Sequence, residues 1–198
     1  MNILSSQPPA SLTLTALSGI PLLNPGDNLV LIILQSLKQS NLSLENGDIL
    51  VIAQKVVSKA EGRYARLADI IPSERAFKLA EITGKDPRLV ELILSESREI
   101  VRHSKRTIQS SGVVVAENRQ GIVLANAGID SSNVGSESED EKVLLLPIDP
   151  DKSAGNINKE LQLKFKVRLA VIITTVWDGP GATAPLVQHL AFLESPHF

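Results

Sequence analysis

Cysteine is absent from the 198 residues, which removes a disulfide framework, thiolate nucleophiles and zinc–thiolate sites together. Any metal bound here is therefore a hard ion held by oxygen. No excess of either charge is present: 20 Lys and Arg stand against 22 Asp and Glu, a formal net charge of −2, which excludes nucleic-acid binding by bulk charge. Long apolar runs are missing too. LVLIIL, VLLLP and AVII are far too short to span a bilayer, and MNILSSQPPAS has neither the basic flank nor the apolar stretch of a secretion signal. The expectation is a soluble cytoplasmic protein with no membrane or nucleic-acid partner. Neither G-x-x-x-x-G-K-[ST] nor G-x-G-x-x-G occurs, so the standard phosphate-cradling loops are lacking. His103, His189 and His197 are too scattered for a local metal cluster, and no internal repeat is visible.

What is present is an ordinary globular composition, 43% hydrophobic and 21% charged. Residues 1–10 read as a disordered extension, because Pro8-Pro9 and the surrounding Ser and Gln hold neither helix nor strand. The alternation in SLTLTAL, residues 11–17, predicts a half-buried strand closed by Gly19 and Pro21. Asp27 is the expected N-cap of a helix striped by Leu29, Ile32, Ile33 and Leu37. After Asn46-Gly47-Asp48, the run ILVIA at 49–53 is apolar on both parities and is expected as a central strand covered on both faces. A helix follows Pro72-Ser73, with Ala76, Leu79 and Ala80 in its stripe and Gly84 as its stop, and Asp86-Pro87 opens another carrying Leu89, Leu92 and Ile93.

Residues 113–118 and 121–126 predict a hairpin around Arg119-Gln120, and SESEDE at 136–141 suits a solvated loop. KVLLLP reads as a strand, Asp149-Pro150-Asp151 as the start of a helix through Leu161 and Leu163, and VRLAVIIT at 167–174 as a second buried strand. Beyond Thr174 neither period persists, apart from a weak pattern in LVQHLAFL. This order predicts the α+β class, a mixed sheet with flanking helices.

Three segments carry candidate chemistry. In S-K-A-E-G-R, residues 58–63, charged groups crowd a short polar turn after the buried strand, where open sheets place ligands; Lys59 can neutralise a phosphate and Gly62 lets backbone approach it. Composition alone favours the alternative, an exposed loop with a weak Lys–Glu pair. In N-A-G-I-D-S-S-N, residues 126–133, Asp130 and Asn133 supply hard oxygen ligands and a donor suited to Mg²⁺ or Mn²⁺ beside a phosphate. An Asx turn accounts for the same pair equally well. Ser18-Gly19-Ile20-Pro21 forms a tight turn that offers backbone N–H groups to a nucleotide or simply reverses the chain.

In order and spacing, L-S-G-I-P-L, N-G-D-I-L-V-I-A-Q-K-V-V-S-K-A-E-G-R, P-S-E-R-A, N-A-G-I-D-S-S-N-V and L-L-L-P-I-D-P-D-x-S-A resemble one family over residues 12–174. It is the γ-glutamyl ligases that add glutamate to the deazaflavin coenzyme F-420-0. The resemblance implies a GTP-dependent amide ligase, in which a substrate carboxylate is phosphorylated and the glutamate amine displaces phosphate. It also implies Mg²⁺ or Mn²⁺ and a monovalent cation as cofactors, a homodimer, and the deazaflavin precursor and L-glutamate as partners. Carried over position by position, Ser18, Gly19, Ile20, Pro21, Gln54, Lys55, Lys59 and Asn133 fall on nucleotide-contacting positions, and Asp130 on a metal-ligand position. Such chemistry rests on cations that gather developing charge rather than on a protein nucleophile.

The chain departs from the family pattern I-I-T-D-[ST]-x-G-R-P-W-R at Ile172-Ile173-Thr174-Thr175-Val176-Trp177, where the metal-binding Asp is missing. Family members also continue past the last residue here. The expected organisation is an extension over 1–10, an incomplete ligase-family core over 11–174 and a tail over 175–198 outside the family pattern. One base inserted after the Thr174 codon lets the following codons read D-S-x-G-R-P-W-R, which motivates a frameshifted tail with few core contacts. Two functions follow: the ligase itself, and alternatively an inactive nucleotide-binding or interaction fragment.

Overall fold

The computed structural model describes residues 11–108, 112–131, 141–177 and 186–193. Its first helix, α1 (Leu29–Gln39), is capped by Asn28, whose side chain accepts the Leu31 N–H at 3.1 Å. The expected cap, Asp27, instead closes the preceding turn by accepting the Asn24 N–H at 2.7 Å. The chain continues through β1 (Ile49–Ala53), α2 (Gln54–Ala60), β2 (Tyr64–Arg66), α3 (Glu74–Thr83), α4 (Pro87–Ser95), β3 (Ser97–His103), β4 (Val114–Asn118) and β5 (Val123–Ala125). It then forms β6 (Lys142–Leu144), α5 (Pro150–Phe165), β7 (Ala170–Trp177) and β8 (Leu186–Leu193). Local chemistry sets the helix ends as the sequence predicts. Ser73 accepts the Ala76 N–H at the head of α3, Gly84 stops it at φ 66°, and Asp86-Pro87 and Asp149-Pro150 open α4 and α5.

The described strands form three small sheets, in the orders β1-β7-β8, β2-β6 and β3-β4-β5. β1 runs parallel to β7, with Val51 opposite Ile172, while β8 is antiparallel to β7. Among the described residues, parallel and antiparallel pairs flanked by five α-helices make the fold α+β. Two apolar clusters lie beneath. The first joins Val30, Ile33 and Leu37 of α1 and Ile157 and Leu161 of α5 to Ile52, Leu169, Val171 and Ile173. The second joins α3 and α4 to the hairpin through Ala76, Val90, Ile93, Val114 and Ala116. Each fully buried aliphatic side chain contributes about 1.5–3 kcal/mol. The segment around β6 serves both clusters, sending Val143 and Leu145 into the second and Leu146 into the first. Among the described residues, no helix is long and apolar enough to cross a membrane.

Several expectations need correction. Residues 11–17 form no ladder; Leu12 and Leu14 are 82% and 85% exposed, because no described strand lies beside them to complete a sheet. ILVIA is a strand, but it is the edge of its sheet. Ile52 enters the core while Ile49 and Val51 stay 54% and 55% exposed, so apolar residues on both parities did not mean cover on both faces. Ser58–Ala60, expected in a polar turn, belong to α2, where burial of Val57, Ser58 and Ala60 outweighs the charged composition. The tail also differs from its expected sparse structure. Thr175–Trp177 continue β7, and Leu186–Leu193 pair with it, the β-branched Thr175 favouring extension. Residues 1–10 and 136–140 lie outside the described residues.

Candidate active site

The two clusters meet where α2 leaves β1 and packs against β6. From the second cluster comes Asp130. After β5 the backbone turns through Asn126, Ala127 and Gly128 at φ 51°, 55° and 81°, a left-handed run that non-glycine residues rarely adopt. Gly128 is required there twice over, since a Cβ would also sit 2.6 Å from Leu146 Cδ1. The turn delivers Asp130 to Leu144, and the two residues exchange both backbone hydrogen bonds, 2.9 and 2.8 Å, as an isolated antiparallel bridge. The Asp130 backbone is thus fixed to β6.

From the first cluster comes α2. Lys55, in its first turn, places its ammonium in contact with Asp130 Oδ2; the lysine side chain is 39% exposed and the aspartate 19%. Lys59 lies one helical turn on, so both ammonium-bearing stems rise from the same face of α2. Gln54 is buried, and its side-chain amide donates to Ser58 Oγ at 2.8 Å within the helix. This commits Gln54 to the inside of α2.

The C-terminal end of α2 is tied down by other motif residues. Gly26 donates to the Ala60 carbonyl at 2.8 Å, and Ser153 Oγ donates to Glu61 at 2.5 Å. Pro25 fills the space beside Gly62, where a Cβ would lie 3.2 Å from the proline ring. Gly62 therefore admits Pro25 rather than a phosphate. Arg63, at the end of S-K-A-E-G-R, donates from Nε to the Leu146 carbonyl at 2.8 Å and pairs with Glu96 at 3.2 Å, a structural role.

Ser18–Pro21 lie elsewhere on the first cluster. The Ser18 carbonyl accepts from Ser36 Oγ at 2.6 Å, and Gly19, at φ 76°, leaves room for the Gln39 side chain. The turn docks on the C-terminal end of α1, whereas Lys55 meets Asp130 where α2 packs against β6. Asn133 lies outside the described residues. The structure thus joins Lys55 to Asp130, sets Lys59 on the same helical face, and turns Gln54 inward.

The donors suit a hard divalent ion in kind. Asp130 supplies a carboxylate, and a magnesium-like ion is commonly held by one or two carboxylates, with phosphate oxygens and water completing its shell. Four residues earlier, Asn126 has a side-chain oxygen sealed from solvent with no hydrogen-bond partner among the described residues, an oxygen that sequence reasoning passed over. No group of three or more His, Asp or Glu side chains suited to a metal occurs among the described residues.

Comparison with known proteins places these residues in context. The family model described as F420-0:Gamma-glutamyl ligase matches residues 19–184. A protein of Methanothermobacter thermautotrophicus named coenzyme F420:L-glutamate ligase is 44% identical over 169 residues, 85% of this chain and 63% of the relative. Like-named proteins of Methanopyrus kandleri and Methanosarcina mazei are 44% and 39% identical, over 79% and 80% of this chain and 56% of each relative. The chain thus spans a little over half the length of these relatives. The motifs that build the α2–β6 junction, S-K-A-E-G-R, N-A-G-I-D and L-L-L-P-I-D-P-D-x-S-A, all fall within the matched stretch, and the chain belongs to the F420-0:gamma-glutamyl ligase family.

Proposed function

We propose that this chain provides the nucleotide-phosphate and metal-handling part of a GTP-dependent ligase that adds L-glutamate to the deazaflavin coenzyme F420 precursor. The observation that carries the reading is the meeting of Lys55 with Asp130, on either side of the junction between the two cores, inside the family-matched stretch. In this reading a carboxylate of the precursor attacks the γ-phosphorus of GTP, giving an acyl phosphate and GDP. The glutamate amine then attacks the acyl carbon, forming the amide and expelling phosphate. Lys55 and Lys59 gather charge on the phosphate oxygens, while Gln54, bonded to Ser58 inside α2, holds the helix that carries them. Asp130 would hold Mg²⁺ or Mn²⁺, which when bound neutralises developing phosphate charge. A monovalent cation, a homodimer and a cytoplasmic location complete the reading.

Incubating the chain with the precursor, L-glutamate, GTP and Mn²⁺ tests this by mass spectrometry. A precursor heavier by one glutamyl residue, with GDP and phosphate released in equal amounts, is the expected outcome. A second reading, nucleotide binding without turnover, is favoured by Thr175, which stands where the family pattern carries a second carboxylate. GDP binding with no glutamylated product would select it.

A further inference from the structure

The cation that Asp130 faces is a lysine of the chain itself. Lys55 reaches across the junction to Asp130 Oδ2, and the two partners differ in freedom. Asp130 is fixed by both backbone bonds to Leu144 and is mostly buried, whereas Lys55 sits on a flexible four-carbon stem that is 39% exposed. Two cations crowded on one carboxylate repel, so a divalent ion entering at Asp130 competes with the ammonium held at Oδ2. A displaced ammonium turns to water or to another anion. A nucleotide phosphate lying along the face of α2 that bears Lys55 and Lys59 would receive it.

We propose that Lys55 is the resident counter-ion of Asp130, and that it releases the carboxylate to a divalent cation when a nucleotide phosphate takes up its charge. Lys55 is then a positioning residue that couples the two ligands: each favours the other, by the same factor in either direction. The inference rests on the nucleotide-and-metal reading of this site, and its test is read without turnover.

Binding of Mn²⁺ to the whole 198-residue chain, followed by electron paramagnetic resonance with and without GDP, decides it. Wild-type protein should bind Mn²⁺ weakly alone and about tenfold more tightly with GDP, within the usual range for coupled sites. Lys55→Met should bind Mn²⁺ about tenfold more tightly than wild type without GDP and gain little more from adding it. Lys55→Arg, which keeps the charge, should stay weak; Asp130→Asn should lose the protein-linked signal in both conditions, which separates it from Mn²⁺ chelated by free GDP. Circular dichroism melting checks that each variant is folded, and the Lys55→Arg pattern stands as the test should Lys55→Met fail to fold. Lys55→Met binding Mn²⁺ no more tightly than wild type overturns the proposal, as does a wild type indifferent to GDP or a Lys55→Arg chain that binds tightly. Failure of the ligase assay with these shifts present would remove the ligase reading alone; turnover without them would remove this inference alone.

Discussion

Around Ile93 the chain closes its apolar surface completely, whereas across the β1-β7-β8 sheet at Val51 it leaves more than half of a valine in water. Ala76, Val90, Val114 and Ala116 surround Ile93 with no exposure, because helices and hairpin cover one another. In the other cluster, α1 and α5 cover only the inner face, so Ile52, Val171 and Ile173 are sealed while Ile49 and Val51 are not. Branched apolar residues fill both parities of β1, but only the parity met by a packed element is buried. Cover is a property of neighbours in space, and the strand's own composition cannot supply it.

The sharpest way to break this contrast is to remove atoms from the closed core. Ile93→Ala should cost about 3 kcal/mol in urea unfolding, because the cavity lies where nothing can collapse into it. Gly128→Ala should come next, at about 2 kcal/mol, since its added methyl meets Leu146 from a backbone at φ 81°. A loss below about 0.5 kcal/mol there would mean that the junction between the clusters is loose.

Asp86 gives a smaller, pH-dependent effect. It caps α4 by accepting the Arg88 N–H at 2.8 Å, and the Arg88 guanidinium beside it holds its carboxyl below the usual carboxylate range. Asp86→Ala should cost about 1 kcal/mol at neutral pH. Because the folded pKa is the lower one, that contribution is fully present above the unfolded value of about 4 and vanishes as pH falls through the folded value. Melting temperatures of wild type and variant should therefore converge in acid. The smallest effect belongs to the open face: Val51→Thr should change stability by less than about 0.5 kcal/mol while lowering the fluorescence of a hydrophobic dye. A penalty as large as that of Ile93→Ala would show that this face is covered in solution.

Much of the fold was legible because local chemistry wrote it. Ser73, Gly84, Asp86-Pro87 and Asp149-Pro150 mark helix ends through hydrogen bonds made within a few residues, and the hairpin around Arg119-Gln120 follows from two adjacent apolar runs. What depended on distant partners was not. SLTLTAL alternates like a strand yet has no partner strand among the described residues, S-K-A begins as polar sequence yet ends a helix pinned by buried Val57, and Ser97–His103 pairs with β4 despite its charged residues. The candidate site divides the same way. Lys59 and Asp130 stood out by residue type and position after a strand, while the contact of Asp130 with Lys55 arises only because α2 and β6 meet. The left-handed backbone at Asn126 and Ala127 has no signature in those residue types alone.

The bridge between Asp130 and Leu144 holds the aspartate with just two amide hydrogens. A motion that parts this contact without unfolding either core would expose those hydrogens while the amides of α4 and β7 stay protected. Their exchange with deuterium therefore clocks the opening of the junction itself, and comparing that clock with the rate for Ile93 or Val171 separates breathing at the candidate site from unfolding of the protein.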